Sequence, residues 1–232
     1  MNMKTLGLLV GLFALVGATV HYANDHPVLF NLISNREGLD NVGNNIVDNG
    51  DDVALGVGTF SGAPYAYGGS VYYTIGIYFS LVCSGAPHNC VFDGLNSRGL
   101  MCIEGTGGGT MTLAGIHFKD GYRSGSSAGG ALYISSSALV SVQGCKLSSN
   151  QAAYGGAIYA TYSGTTLNIF TTTFDGNTAT YGDDIYVYQA SVTVHSTCPP
   201  DWSGTPAAGS NLNTDTGSSG TITGTTKSFD IG

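Results

Sequence analysis

Three carboxylates pose the first chemical question. Asp183 and Asp184 are adjacent, and Asp175 precedes them. Carboxylates grouped this way are oxygen ligands of the kind Ca2+ takes. The simpler assignment is a solvated acidic turn that closes a stack of strands and blunts its edge with charge. Asp48, Asp51 and Asp52 form a second acidic turn, open to the same two assignments. Five tyrosines recur at near-constant spacing: Tyr133, Tyr159 and Tyr186 in one set, Tyr154 and Tyr181 in another. Rows of tyrosine present flat apolar bodies with polar tips, a surface for carbohydrate or for a protein partner. The alternative is ring-on-ring stacking that stabilises a sheet. Among the cysteines, Cys83 and Cys90 are the best disulfide candidates, because Gly85, Pro87 and Asn89 turn the chain between them. An odd total of 5 leaves at least one thiol without a partner in the chain. Cys145 reads as a small buried hydrophobe. No CxxC pair occurs and the histidines are scattered, so a structural zinc site has no support.

The background around these residues narrows the class. Of 232 residues, 7 are Lys or Arg and 15 are Asp or Glu. That 9% charged share compares with roughly 25% in an average domain and excludes coiled coils and helical bundles. Hydrophobic content of 42% is too high for a disordered chain. The 36 glycines follow no Gly-X-Y period, which excludes collagen. A net charge of −8 and a pI near 4.7 provide no basic face for a nucleic acid.

Residues 1–18 read as a signal peptide. Lys4 supplies the positive start, and Leu6 through Val16 form an apolar core. Val16-Gly17-Ala18 places small residues where a signal peptidase cuts. A cut as late as Ala23 is the alternative, with His21 at the −3 position. The apolar span is shorter than the ~20 residues a bilayer needs, and no other stretch is a candidate for crossing one. The expectation is an exported, extracellular or cell-surface chain.

The remainder repeats. Asn150-Gln-Ala-Ala-Tyr-Gly-Gly-Ala-Ile-Tyr159 aligns with Asn177-Thr-Ala-Thr-Tyr-Gly-Asp-Asp-Ile-Tyr186. Val140 and Val142 align with Leu167 and Ile169, and Leu147 with Phe174. An earlier copy aligns Phe118 with Leu147 and Gly129-Gly130-Ala131-Leu132 with Gly155-Gly156-Ala157-Ile158. Within each copy, apolar residues alternate, as in a half-buried strand. Short strands at this period predict an all-β, single-stranded, right-handed parallel β-helix of about six coils. Like residues should stack over like: Ile158 on Ile185, Asn150 on Asn177, and each tyrosine set in its own column. The tyrosines beside Ile158 and Ile185 should then face outwards. Residues 19–52 are assigned to an N-terminal segment with a short capping helix at 36–47. Residues 53–198 are assigned to the β-helix, and 199–232 to a Gly/Ser/Thr-rich tail, mostly irregular, with an edge strand at 221–226 as the alternative.

These motifs resemble the polymorphic outer membrane protein repeat of the pectin-lyase-like β-helix superfamily. The resemblance rests on Gly129-Gly130-Ala131-Leu132, Gly155-Gly156-Ala157-Ile158 and Phe174-Asp175-Gly176-Asn177, with Leu147-Ser148-Ser149-Asn150 an altered copy. It implies adhesin-like contact along stacked rungs, with carbohydrate, a surface protein or copies of the chain itself as partners. End-to-end self-assembly is part of that expectation. The superfamily also implies a rival, a polysaccharide lyase or hydrolase. Asn213-Thr214-Asp215 and Asp183-Asp184 resemble pieces of a polygalacturonase site, but in the wrong order and without Gly-His-Gly or Arg-x-Lys. Acid–base work on an acidic sugar also wants a basic cleft. No complete catalytic set is present in the sequence, so the expectation is a non-enzymatic module needing no cofactor, Ca2+ apart.

Overall fold

The computed structural model describes residues 19–33, 47, 49–61, 71–195, 212–214 and 219–223. Alternation sets its strands. In β11 (Leu139–Gln143), β14 (Thr166–Phe170) and β17 (Ser191–His195), the second and fourth residues are buried: Val140 and Val142, Leu167 and Ile169, Val192 and Val194. The strands pair in parallel with those residues in register, Val140 with Leu167 and Leu167 with Val192. Each apolar column therefore runs along the stack and leaves water together.

Three parallel sheets result, and the chain visits them in a fixed order. A turn begins on sheet A with β2 (Asp52–Leu55), β5 (Ser80–Cys83), β8 (Thr110–Ala114), β11, β14 or β17. It continues on sheet B with β3 (Gly58–Phe60), β6 (Cys90–Asp93), β9 (Ile116–Lys119), β12 (Lys146–Ser148) or β15 (Thr173–Asp175). It closes on sheet C with β4 (Val71–Ile75), β7 (Gly99–Glu104), β10 (Leu132–Ser135), β13 (Ile158–Thr161) or β16 (Ile185–Tyr188). Five complete turns stand on one another, so the chain is a parallel β-solenoid, close to the expected coil number. β17 and β18 (Leu212–Thr214) begin a sixth turn, and β19 (Ser219–Thr223) pairs with β17. The segment read as a tail thus contributes two strands, the second overlapping the edge strand weighed at 221–226.

The core holds two kinds of column. Phe60, Phe92, Phe118, Leu147 and Phe174 succeed one another through sheet B, and the first three rings lie 5.2 and 5.3 Å apart. Burying each such ring contributes about 1.5–3 kcal/mol. The second column is polar. Asn150 Nδ2 donates to the Phe118 carbonyl and to Asn177 Oδ1, while its own Oδ1 accepts the Gly121 N–H. Asn177 repeats the pattern on the Leu147 carbonyl and on Asp184 Oδ1. The expected Asn ladder is therefore present, and each rung satisfies buried backbone groups.

Corners need backbone freedom. Gly129, Gly155 and Gly182 open the approach to sheet C with φ of 68, 59 and 65°. At the next position a β-carbon on Gly130 would lie 2.2 Å from the Gly156 carbonyl oxygen, so the following turn occupies that space. Cys83 and Cys90 form the expected disulfide and close the corner between β5 and β6. Cys102 and Cys145 are buried free thiols, and Cys198 lies outside the described residues.

At the N-terminal end, β1 (Val20–Ala23) pairs with β2, from Val20 opposite Asp52 to Ala23 opposite Leu55. α1 (His26–Ile33) follows, contacting β1 and β4, with Leu29 buried. Asp25 caps it, its Oδ1 accepting the Val28 N–H at 2.9 Å. The sequence predicts no helix here; the capping helix predicted at 36–47 lies outside the described residues, apart from Val47, which is buried in the core.

Candidate functional site

The tyrosine columns form as their spacing predicts. Tyr133, Tyr159 and Tyr186 pair across β10, β13 and β16, and their rings stack at 5.5 and 5.7 Å. Tyr154 and Tyr181 stack at 5.2 Å beside them. The columns differ from the expected flat platform in two ways. Tyr186 does not face solvent: it is 8% exposed, because the Tyr154 and Tyr181 rings lie edge-on against it. The ring faces of the first column are also occupied, by one another and, at Tyr133, by the Arg123 guanidinium 5.4 Å from the centroid. Stacking from turn to turn directs the ring faces along the solenoid axis, so edges and hydroxyls remain for a ligand.

A cleft of about 410 Å3 lies at this face. Tyr133, Tyr154 and Tyr159 line one part of it, Cys102 and Glu104 of β7 another, and Arg123, Ser126 and Ser127 the loop side. The loop exists because the third turn is longer than its successors. Eleven positions separate Phe118 from Gly129, but eight separate Leu147 from Gly155 and Phe174 from Gly182. Arg123 follows Tyr122, which bridges to Gln151, and Gln151 bridges to Thr178. The equivalent positions in the next two turns are therefore Ala152 and Ala179. A cation has entered a column of alanines. Gly99 accommodates its stem, since a β-carbon there would sit 3.0 Å from Arg123 Cγ and Cδ. Nη1 donates to the Ala128 carbonyl at 3.0 Å, and the buried Nε has no hydrogen-bond partner among the described residues.

Burial governs protonation in the cleft. It pushes the Tyr133 hydroxyl up to about 12, helped by Tyr162 and Tyr159, and raises Tyr159 as well. Both remain neutral hydroxyls that donate and accept. Burial, then the Glu104 charge, pushes Cys102 up to about 12. It stays a thiol at neutral pH and is no ready nucleophile.

The three carboxylates proposed as Ca2+ ligands are engaged separately. Asp175 is 69% exposed and pairs with Lys146 at 3.4 Å. Asp183 accepts the Ala179 N–H at 2.8 Å. Asp184 ends the Asn ladder, and burial pushes it up to about 6 against the opposing Asn177 hydrogen bond, with Asp183 and Asp175 adding repulsion. No group of three His, Cys, Asp or Glu suited to a metal occurs among the described residues. On sheet B, Lys119 bridges Asp93 at 2.8 Å and Asp120 at 3.1 Å. No helix among the described residues is long and apolar enough to cross a membrane. Compared with protein families, curated proteins and solved structures, the chain matches none of them.

Proposed function

We propose that this chain is an exported recognition module, adhesin-like in action, and that the cleft at β7, β10 and β13 binds carbohydrate. The observation that carries the reading is the meeting of tyrosine and serine hydroxyls, one cation and one carboxylate in a single cleft. Its volume falls within the about 300–1,000 Å3 of small-ligand pockets. A polyhydroxylated ligand pairs with such a lining through hydrogen bonds rather than by lying flat on a ring. Export is supported by the apolar leader and by the Cys83–Cys90 disulfide, which suits an oxidising compartment. The Gly-Gly-Ala-Ile and Phe-x-x-Asn repeats support the adhesin-type assignment and the kinship with the polymorphic outer membrane protein repeat. The stacked turns also suit repeated contact with a surface partner.

A second reading, a sugar-cleaving enzyme, draws on Glu104 and Arg123 sharing that cleft. A glycan array probed with and without Ca2+, and read for cleavage as well as binding, separates the two. Binding without cleavage is the expected result. Turnover of a bound glycan would replace the recognition reading with the enzymatic one.

A further inference from the structure

Asp51 lies just before β2, and the residue is 7% exposed. Its Oδ1 accepts the backbone N–H of Thr19 at 2.9 Å, and its Oδ2 accepts Nε2–H of His21 at 3.0 Å. The backbone ties the same place a second time, because the Asp52 N–H donates to the Thr19 carbonyl at 2.9 Å. β1 runs on from there to Ala23, which is fully buried in the core. The two cleavage positions open on sequence grounds therefore differ sharply in consequence. A cut after Ala18 keeps β1 whole. A cut after Ala23 removes the strand, a core side chain, and the Thr19 and His21 groups that bond to Asp51.

We propose that hydrolysis of the Ala18–Thr19 bond creates an α-ammonium that Asp51 holds as a partly buried ion pair, so that leader removal fastens β1 to the N-terminal edge of the solenoid. The proposal rests on the export part of the function given above. In the cleavage, performed by a peptidase that reads small residues at −1 and −3, the Ala18–Thr19 C–N bond breaks. Water supplies hydroxyl to the Ala18 carbonyl carbon and a proton to the Thr19 nitrogen. The new carboxyl ionises and the new amine takes up a proton, since an α-amino group titrates near about 8. Before the cut, the Thr19 nitrogen offers Asp51 one amide hydrogen. Afterwards the same nitrogen carries three and a full positive charge. A hydrogen bond between charged partners is about twice as strong as a neutral one, and shielding of Asp51 from water strengthens it further. The fastened strand also covers the edge of β2, which would otherwise be open to pairing with another chain.

The test starts from the full chain expressed in a secreting host, with the mature N-terminus read by intact mass and N-terminal sequencing. Thr19 is the expected first residue. The α-amine of the purified protein is then acetylated at mildly acidic pH, where lysines stay protonated, and melting is compared in wild type and Asp51→Asn. Acetylation should lower the wild-type midpoint by about 2–8 °C and move the Asp51→Asn midpoint much less. If Asp51→Asn does not fold, the wild-type comparison decides alone. A chain retained uncleaved overturns both the export reading and this proposal. Secreted protein beginning at Asn24 overturns the proposal and leaves export standing. A Thr19 start with a midpoint unmoved by acetylation overturns the ion pair alone.

Discussion

At the residue scale, two side chains carry sharp expectations. Asp184 ionises inside the solenoid at a cost. Its folded pKa, about 6, lies above the ordinary value of 3.8. The folded state therefore binds this proton more tightly than the unfolded chain does. The resulting stabilisation is full below about pH 4 and is lost as pH rises through about 6. The shift is worth on the order of 2–3 kcal/mol at most. Asp184→Asn keeps an acceptor for Asn177 without the charge. It should raise the melting midpoint at pH 7 and flatten the pH 4–6 stability slope, followed by calorimetry across that range. An unchanged slope would show that Asp184 ionises freely. Tyr159 is the middle of its column, so Tyr159→Ala removes two stacks and should cost about 1–3 kcal/mol in denaturant unfolding. Tyr159→Phe keeps both stacks and should cost less than about 0.5 kcal/mol; an equal loss in the two variants would contradict this division of roles.

At the element scale, corners and staples decide how turns stack. Gly130 faces the carbonyl oxygen of Gly156, so Gly130→Ala must displace the backbone of the next turn. It should cost about 3 kcal/mol or more. Gly144 is the converse case: its φ is positive, 56°, but a β-carbon there meets nothing within 4 Å. Gly144→Ala should cost only the conformational penalty, about 1–2 kcal/mol. Similar unfolding free energies for the two variants would mean that stacking does not crowd Gly130. Replacing both Cys83 and Cys90 by Ala opens a short loop and should lower stability by about 2 kcal/mol in the same assay; no loss would show that the corner is held without the bond.

These elements also show which features a sequence of this kind carries openly and which it does not. Columns were legible because like residues recur at the repeat distance: Asn150 over Asn177, Tyr133 over Tyr159. The two-residue period says which way a side chain leaves a strand, but not which way its ring turns. Stacking therefore left edges and hydroxyls where flat faces were expected. Asp25 and Pro27 mark the start of α1, but its eight mostly apolar residues are too few to display a helical period.

At the scale of the whole molecule, the solenoid supplies regularity and the cleft comes from a departure. Five similar turns would present nearly uniform walls. The longer third turn, with Arg123 in place of alanine, breaks that uniformity beside the tyrosines. The alignment already contained this signal, since Phe118 and Gly129 lie at different offsets from their later counterparts. An offset alone does not say where extra residues go; in the fold Arg123, Ser126 and Ser127 wall the cleft. Low charge also takes on a role. With few charged residues in the chain, Arg123 and Glu104 together supply the charge in the lining of the cleft.

The most direct measurement is equilibrium binding of the strongest array glycan to the mature protein and to the double variant Tyr133→Phe/Tyr159→Phe. That variant removes two hydroxyls from the cleft and leaves the ring column standing. Binding should weaken about tenfold with at most a small loss of thermal stability, about 1 kcal/mol or less. Undiminished binding by the double variant, or no glycan bound by wild type with or without Ca2+, would contradict the assignment of the cleft.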